Sequence, residues 1–300
     1  MKTRSRKFFW RTFNILLLLY AGGGIVMYYF QEKFYFNPTT LPASHKFTFK
    51  QPFREVNIPY KKDATINIVQ FLTEKTNEAQ GDSNTVLSNA GDVIASTEID
   101  SSIRGTSKGL VLYFHGNRDN IEHYAPASTM FTRNGYEIWM MDYPGFGKGT
   151  GEMTEDVFYE YALTTYKLAR TRFKPSEIVI YGRSLGTGVA SQLASVRDCR
   201  ALILETPFAS LYSLIGYYAP AYPVKRIIRN HFDVYEHLKK VAAPVTIFAG
   251  SEDLKTPIAN SKRLREVLKP GDQFIIVEGG HHNDLPQFPL FNEKLDSLLN

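Results

Sequence analysis

Cysteine occurs once in this chain of 300 residues, at Cys199. An internal disulfide is excluded, no cysteine follows the apolar N-terminal segment to carry a lipid, and Cys199 reads as a small core residue. Net charge is also scarce once the first eleven residues are set aside. Lys2, Arg4, Arg6, Lys7 and Arg11 match the whole formal charge of +5, and the remaining 30 Lys and Arg balance 30 Asp and Glu. That balance leaves no electrostatic footprint for nucleic acid and assigns the basic cluster to a membrane signal. The glycine-rich stretch 145–151 lacks the order G-x-x-x-x-G-K-[ST], and no G-x-G-x-x-G opens a helix there, so it reads as a rigid loop and not a phosphate cradle. No internal repeat is found, and no cofactor or metal site is expected.

What is present begins with an anchor. The eighteen residues Phe13 to Phe30 carry no charge, a length of about 27 Å as a helix, close to the thickness of a bilayer core. Phe8, Phe9 and Trp10 on one side and Tyr28, Tyr29 and Phe30 on the other suit the two interfaces, and the basic excess precedes the span. Such asymmetry predicts a cytoplasmic N-terminus with the rest of the chain on the other side. The competing reading is a cleaved signal peptide with Ala21 and Gly23 near the cut, but the apolar run resumes at Ile25 and outlasts a usual signal core.

Beyond the expected tail and anchor (1–30), residues 31–52 read as an aromatic, proline-punctuated connector. Residues 53–300, in a chain 43% hydrophobic, suffice for one large α/β domain. Phe53–Tyr60 and Ala64–Phe71 alternate as two antiparallel strands. The stretch 73–108 is polar and nearly free of aromatics, and is expected to be a flexible insertion, with Val93-Ile94-Ala95 forming a hairpin at most. From Gly109 onward, apolar runs at 109–114, 136–141, 178–181, 201–204, 244–249 and 273–277 alternate with helical stretches at 121–132, 154–173, 186–196 and 261–268. That order predicts βαβ units and a mostly parallel central sheet with helices on both faces. Residues 208–240, with aromatics among prolines and basic residues, interrupt it as a small helical excursion.

The run Glu177-Ile178-Val179-Ile180-Tyr181-Gly182-Arg183-Ser184-Leu185-Gly186-Thr187-Gly188 contains G-x-S-x-G between a strand and a helix. A serine on so tight a turn is lifted to a helix N-terminus, where N–H groups favour developing negative charge; the glycines remove side chains that would clash. The pattern alone is weak. Later strand ends, however, deliver Asp253 and then His282 in the order nucleophile, acid, base, at the edge where an open α/β sheet places its site. The Leu185 N–H and one from the loop His115-Gly116-Asn117, represented by Asn117, are the candidate oxyanion donors. Glu252 and His281 are the alternatives for acid and base. His115 receives no proton-transfer role, and Tyr143 and Lys148 are placed near the site by inference only.

From about Phe53 to its end the chain resembles the α/β hydrolases, and within them the membrane-anchored abhydrolase-domain group that includes protein depalmitoylases. The resemblance rests on His115-Gly116-Asn117, Asp142-Tyr143-Pro144-Gly145-Phe146-Gly147, Gly182-Arg183-Ser184-Leu185-Gly186, Gly250-Ser251-Glu252-Asp253 with Pro257, and His282-Asn283-Asp284. It implies an α/β-hydrolase fold and a serine hydrolase of the carboxylesterase, thioesterase or lysophospholipase kind. Ser184, Asp253 and His282 would be its nucleophile, acid and base, with a small-molecule or lipid acyl substrate. The polar insertion, and a hydrophobic segment where that group has a cysteine-rich N-terminus, depart from the pattern.

Overall fold

Ile178, Val179, Ile180 and Tyr181 are all fully buried, Ile178 and Ile180 in one apolar core and Val179 and Tyr181 in another. Successive strand residues point to opposite faces, so an apolar run of this kind belongs in a sheet covered on both sides. The computed structural model describes residues 2–73, 85–86 and 107–300. Most of the expected insertion, including Val93–Ala95, lies outside the described residues.

The strands in chain order are β1 (Asn37–Pro38), β2 (Phe53–Pro59), β3 (Thr65–Phe71), β4 (Thr85–Val86), β5 (Gly109–Phe114), β6 (Arg118–Asp119), β7 (Tyr136–Asp142), β8 (Ile178–Arg183), β9 (Ala201–Glu205), β10 (Val245–Gly250) and β11 (Gln273–Val277). Nine of them form one sheet in the order β11-β10-β9-β8-β5-β7-β3-β2-β4, while β1 and β6 pair separately. Within that sheet β3 runs against both β2 and β7, and the other pairings are parallel. The 53–71 hairpin is therefore present, with Phe53 opposite Phe71 and Pro59 opposite Thr65.

Helices Glu155–Arg170 and Gly186–Val196 cover one face with Phe158, Tyr161, Val189 and Leu193, and helix Pro289–Leu299 covers the other with Phe291, Leu295 and Leu299. The helix expected over 121–132 is broken into Ile121–Tyr124, a 3-10 turn Ala125–Ser128 and Thr129–Thr132. Pro126 explains the break, since its ring and missing N–H do not permit a regular α-helix through it. The one expected at 261–268 is a turn of helix, Ile258–Ser261, followed by 3-10 turns Lys262–Val267. Its start is fixed after Pro257 by Asn260 and Ser261, which hydrogen-bond to Ala209 N–H and the Pro207 carbonyl.

The N-terminal helix runs from Lys2 to Tyr35, past the anticipated end at Phe30. Among the described residues it is the one helix long and apolar enough to cross a membrane, and its apolar side chains, such as Leu18 and Leu19, are exposed. It does not stand clear of the body. Tyr20 stacks on Tyr222 at 4.6 Å, and Gly23 and Gly24 lie against the same tyrosine, leaving no room at Gly23 for a side chain. Tyr222 belongs to residues 208–240, which fold as short helices Leu211–Tyr218, Val224–Ile227 and Val234–Leu238.

Candidate active site

Strand β8 ends at Arg183 and the next helix begins at Gly186, leaving Ser184 at the turn with φ 51°. For a serine this left-handed conformation costs on the order of 1–3 kcal/mol, which the packing around it must hold. The holding is visible in the glycines. A side chain at Gly182 would strike the Gly186 carbonyl and lie 2.7 Å from the Ala190 side chain, and one at Gly186 would strike the Phe114 carbonyl. The Ser184 N–H donates to the Glu205 carbonyl at 2.9 Å, which ties the turn to β9.

The loops that follow strands β10 and β11 carry Asp253 and His282 to this turn. His282 Nδ1 lies 2.8 Å from Asp253 Oδ2 and His282 Nε2 lies 2.9 Å from Ser184 Oγ. With Nδ1–H donating to the carboxylate, Nε2 is the acceptor for the serine hydroxyl. Asp253 also accepts from the N–H groups of Lys255 and Thr256, each at 2.8 Å, and from the Thr256 hydroxyl at 2.6 Å. Burial pushes its carboxyl upward, but the bonds from His282 and Thr256 outweigh burial and hold it below the ordinary value, so it is ionised at neutral pH. The alternatives are elsewhere. Glu252 and His281 are exposed and face each other at 3.5 Å, with His281 bonded to Asp284 at 3.0 Å.

The loop after β5 passes directly over the serine: a Cβ at Gly116 would be 3.6 Å from Ser184 Cβ. Among the described residues neither the Leu185 nor the Asn117 backbone N–H donates to a protein acceptor. His115 is fully buried between Tyr124 and Tyr143, and burial lowers its imidazole to about 4, so the ring is neutral. Its Nε2 is 3.8 Å from Asp142 Oδ1, a carboxyl that burial pushes up to about 8. Asp142 organises the glycine-rich loop around itself, accepting from Ile121 and Lys148 N–H, and Gly147 lies so close that a side chain there would overlap the carboxylate. Tyr143 supports the loop after β5 through its hydroxyl, which donates to the His115 carbonyl at 2.8 Å. Lys148 is turned away, buried against Glu55 at 2.8 Å.

Sequence reasoning missed Thr256 and the pair Arg183–Glu205. Thr256 stands three residues after Asp253, the spacing of a side chain that closes a turn onto an acid, and that was the available signal. Arg183 lies 3.4 Å from buried Glu205 and donates to the Asn283 carbonyl at 3.3 Å, so it links the serine strand to the loop carrying His282. A charge between glycine and serine in an apolar strand marked it. Among the described residues no group of three side chains is placed to hold a metal ion.

Comparison with known proteins agrees with this architecture. The family model for "Serine aminopeptidase, S33" matches residues 105–232. An uncharacterized protein of Mycobacterium tuberculosis is 30% identical over 182 residues, covering 60% of this chain and 65% of that protein. Alpha/beta hydrolase domain-containing protein 17C of Xenopus tropicalis is 28% identical over 198 residues, covering 64% and 62%. The chain thus spans just under two thirds of the length of these relatives. Among solved structures, an esterase of Pyrococcus furiosus superposes with a TM-score of 0.61 over 88% of this chain and 97% of its own at 15% identity, a likeness of fold. With its sheet order, its serine turn and these similarities, the chain has the α/β-hydrolase fold and resembles hydrolases of that superfamily.

Proposed function

We propose that the protein is a serine hydrolase that cleaves carboxylic ester or thioester bonds of fairly apolar acyl groups through an acyl-enzyme. The observation that carries this reading is the chain of hydrogen bonds from Ser184 through His282 to Asp253, at 2.9 and 2.8 Å. In the proposed reaction Ser184 Oγ attacks the acyl carbon while its proton passes to His282 Nε2. Ionised Asp253 holds the ring and stabilises the imidazolium, and the Leu185 and Asn117 N–H groups receive the oxyanion. His282 then gives the proton to the departing alcohol or thiol. Water, activated by the same nitrogen, attacks the acyl carbon, and the free acid leaves with Ser184 restored.

Exposed Tyr217, Tyr218 and Leu254 support an apolar substrate, since the Tyr218 hydroxyl bonds the Leu254 carbonyl in the loop that carries Asp253. The N-terminal helix supports a membrane-borne enzyme, and the basic residues ahead of it favour a cytoplasmic N-terminus with the catalytic domain on the other side. The matched family model's description favours a second reading, a serine peptidase using the same residues on an amide.

A fluorophosphonate probe decides whether the serine is reactive: the full-length protein is expected to be labelled at Ser184 and the Ser184→Ala variant not at all. Turnover in that variant is expected to fall by roughly three orders of magnitude or more with folding unchanged. Retention of a tenth of the activity would remove Ser184 from the mechanism. A parallel panel of nitrophenyl esters, acyl thioesters and aminoacyl nitroanilides separates the two readings, and faster turnover of the nitroanilides would favour the peptidase.

A further inference from the structure

Asn117 is gripped from outside its own loop. Its side-chain amide donates to the Tyr35 carbonyl at 2.7 Å, and its carbonyl accepts from the Asn37 N–H at 2.9 Å. Both partners belong to the end of the N-terminal helix and the residues that leave it. The grip continues as β1 pairs with β6, Asn37 opposite Arg118 and Pro38 opposite Asp119, and as the Asn120 side chain donates to the Thr39 carbonyl at 3.1 Å.

The helix end is itself fixed to the body. The Tyr35 hydroxyl donates to Gln31 Oε1 at 3.1 Å and accepts from Asn230 Nδ2 at 3.0 Å, while Gln31 Oε1 also receives the Arg229 N–H at 2.6 Å. Gln31 and Tyr35 are buried, and Phe36 stacks on Phe158 at 5.3 Å. A rigid point of attachment is what an oxyanion donor needs, because a displacement of about half an ångström already weakens such a site.

We propose that the C-terminal end of the N-terminal helix is a positioning element of the active site. Tyr35 and Asn37, by clamping Asn117 through its side chain and its carbonyl, set where the Asn117 N–H points and so tie the seating of an apolar helix to stabilisation of the oxyanion. The inference rests on the serine-hydrolase reading, and it makes residues 31–38 part of the machinery and not a passive connector.

The test uses the full-length protein in detergent micelles, with Asn117→Ala, which keeps the backbone N–H and deletes the amide, and Asn117→Asp, which keeps the shape and cannot donate when ionised. Turnover of a short nitrophenyl ester and inhibition by a trifluoromethyl ketone, whose adduct with Ser184 carries the oxyanion, are measured together. Both variants are expected to lose kcat at least tenfold, to weaken the ketone by a similar factor, and to keep KM within twofold and the melting temperature within a few degrees. Unchanged kcat and ketone affinity would overturn the inference, as would equal losses in kcat and KM. Unfolding of both variants would also overturn it, because the amide would then be serving stability. Absence of Ser184 labelling and turnover in the unmodified protein would instead overturn the serine-hydrolase reading, so the two failures are distinguishable.

Discussion

Neighbouring residues of the same chemistry have opposite fates at both ends of the proposed relay. Asp253 is buried and holds His282, while Glu252 is exposed and faces His281 across the surface. His282→Ala is therefore expected to reduce turnover nearly as far as Ser184→Ala, and Asp253→Asn somewhat less, while His281→Ala and Glu252→Gln stay within about threefold of the parent in steady-state assays. A reversed order would shift the assignment by one position. Thr256 extends the relay by one hydroxyl. Removing one hydrogen bond to a carboxylate that retains others is worth roughly 1 kcal/mol, so Thr256→Val is expected to lower kcat about fivefold with KM little changed, measured on the same ester. These residues show what the sequence made legible at this scale. Ser184, Asp253 and His282 stood at strand ends in a recognisable order and Thr256 three residues after Asp253, whereas Arg183 and Asn230 bond to Asn283 and Tyr35, 100 and 195 positions away, a distance no local pattern encodes.

Elements were legible where one apolar period ran unbroken. The strands at 109–114 and 136–142 are buried throughout and that at 178–183 as far as Gly182, and burial on both faces is why their sequences contain so little polar alternation. Periodicity failed at 121–132, where Pro126 outweighs an otherwise helical pattern, and at the N-terminal helix, whose last turn after Phe30 is polar and buried at Gln31 because of contacts with residues 227–230. The helix Val234–Leu238 offers a test of packing. It presses His237 against the helix after the serine, with Nδ1 3.1 Å from Ser191 Oγ, and burial lowers the imidazole to about 4. Unfolded, that group titrates near 6.5, so between those values the unfolded chain binds more protons and stability falls as pH falls. The stability advantage of the parent over His237→Gln is expected to shrink by about 1–3 kcal/mol from pH 7 to pH 4 in urea unfolding. The contribution of Asp142, which runs the other way because its carboxyl is raised to about 8, is common to both proteins and cancels in the difference. A constant difference across that range would mean His237 is not held neutral.

For the whole molecule, the fold class and the general place of the site were readable, because alternating strands and helices imply a parallel sheet and such a sheet works at one edge. How the N-terminal helix meets the body was not, since Tyr20 stacks on Tyr222 and Tyr35 reaches Asn230 across some two hundred residues. Full-length protein is expected to sediment with membranes and to resist carbonate and salt, and its catalytic domain to be cut by protease added from the non-cytoplasmic side. A mature N-terminus between Gly22 and Gln31, detected by mass spectrometry, would show cleavage and contradict the anchor.

The placement of β11 at the edge of the sheet, next to β10, has a consequence for the making of the protein. Ser184 precedes His282 by 98 positions. A ribosome adding about 5–20 residues per second finishes Ser184 some 5–20 s before His282 exists. Throughout that interval the serine turn, the loop after β5 and the N-terminal helix are already available to fold, yet the proposed base is missing. On the proposed mechanism, newborn chains would therefore be chemically silent while the first helix forms, and hydrolytic competence would arrive only after the final strand is made.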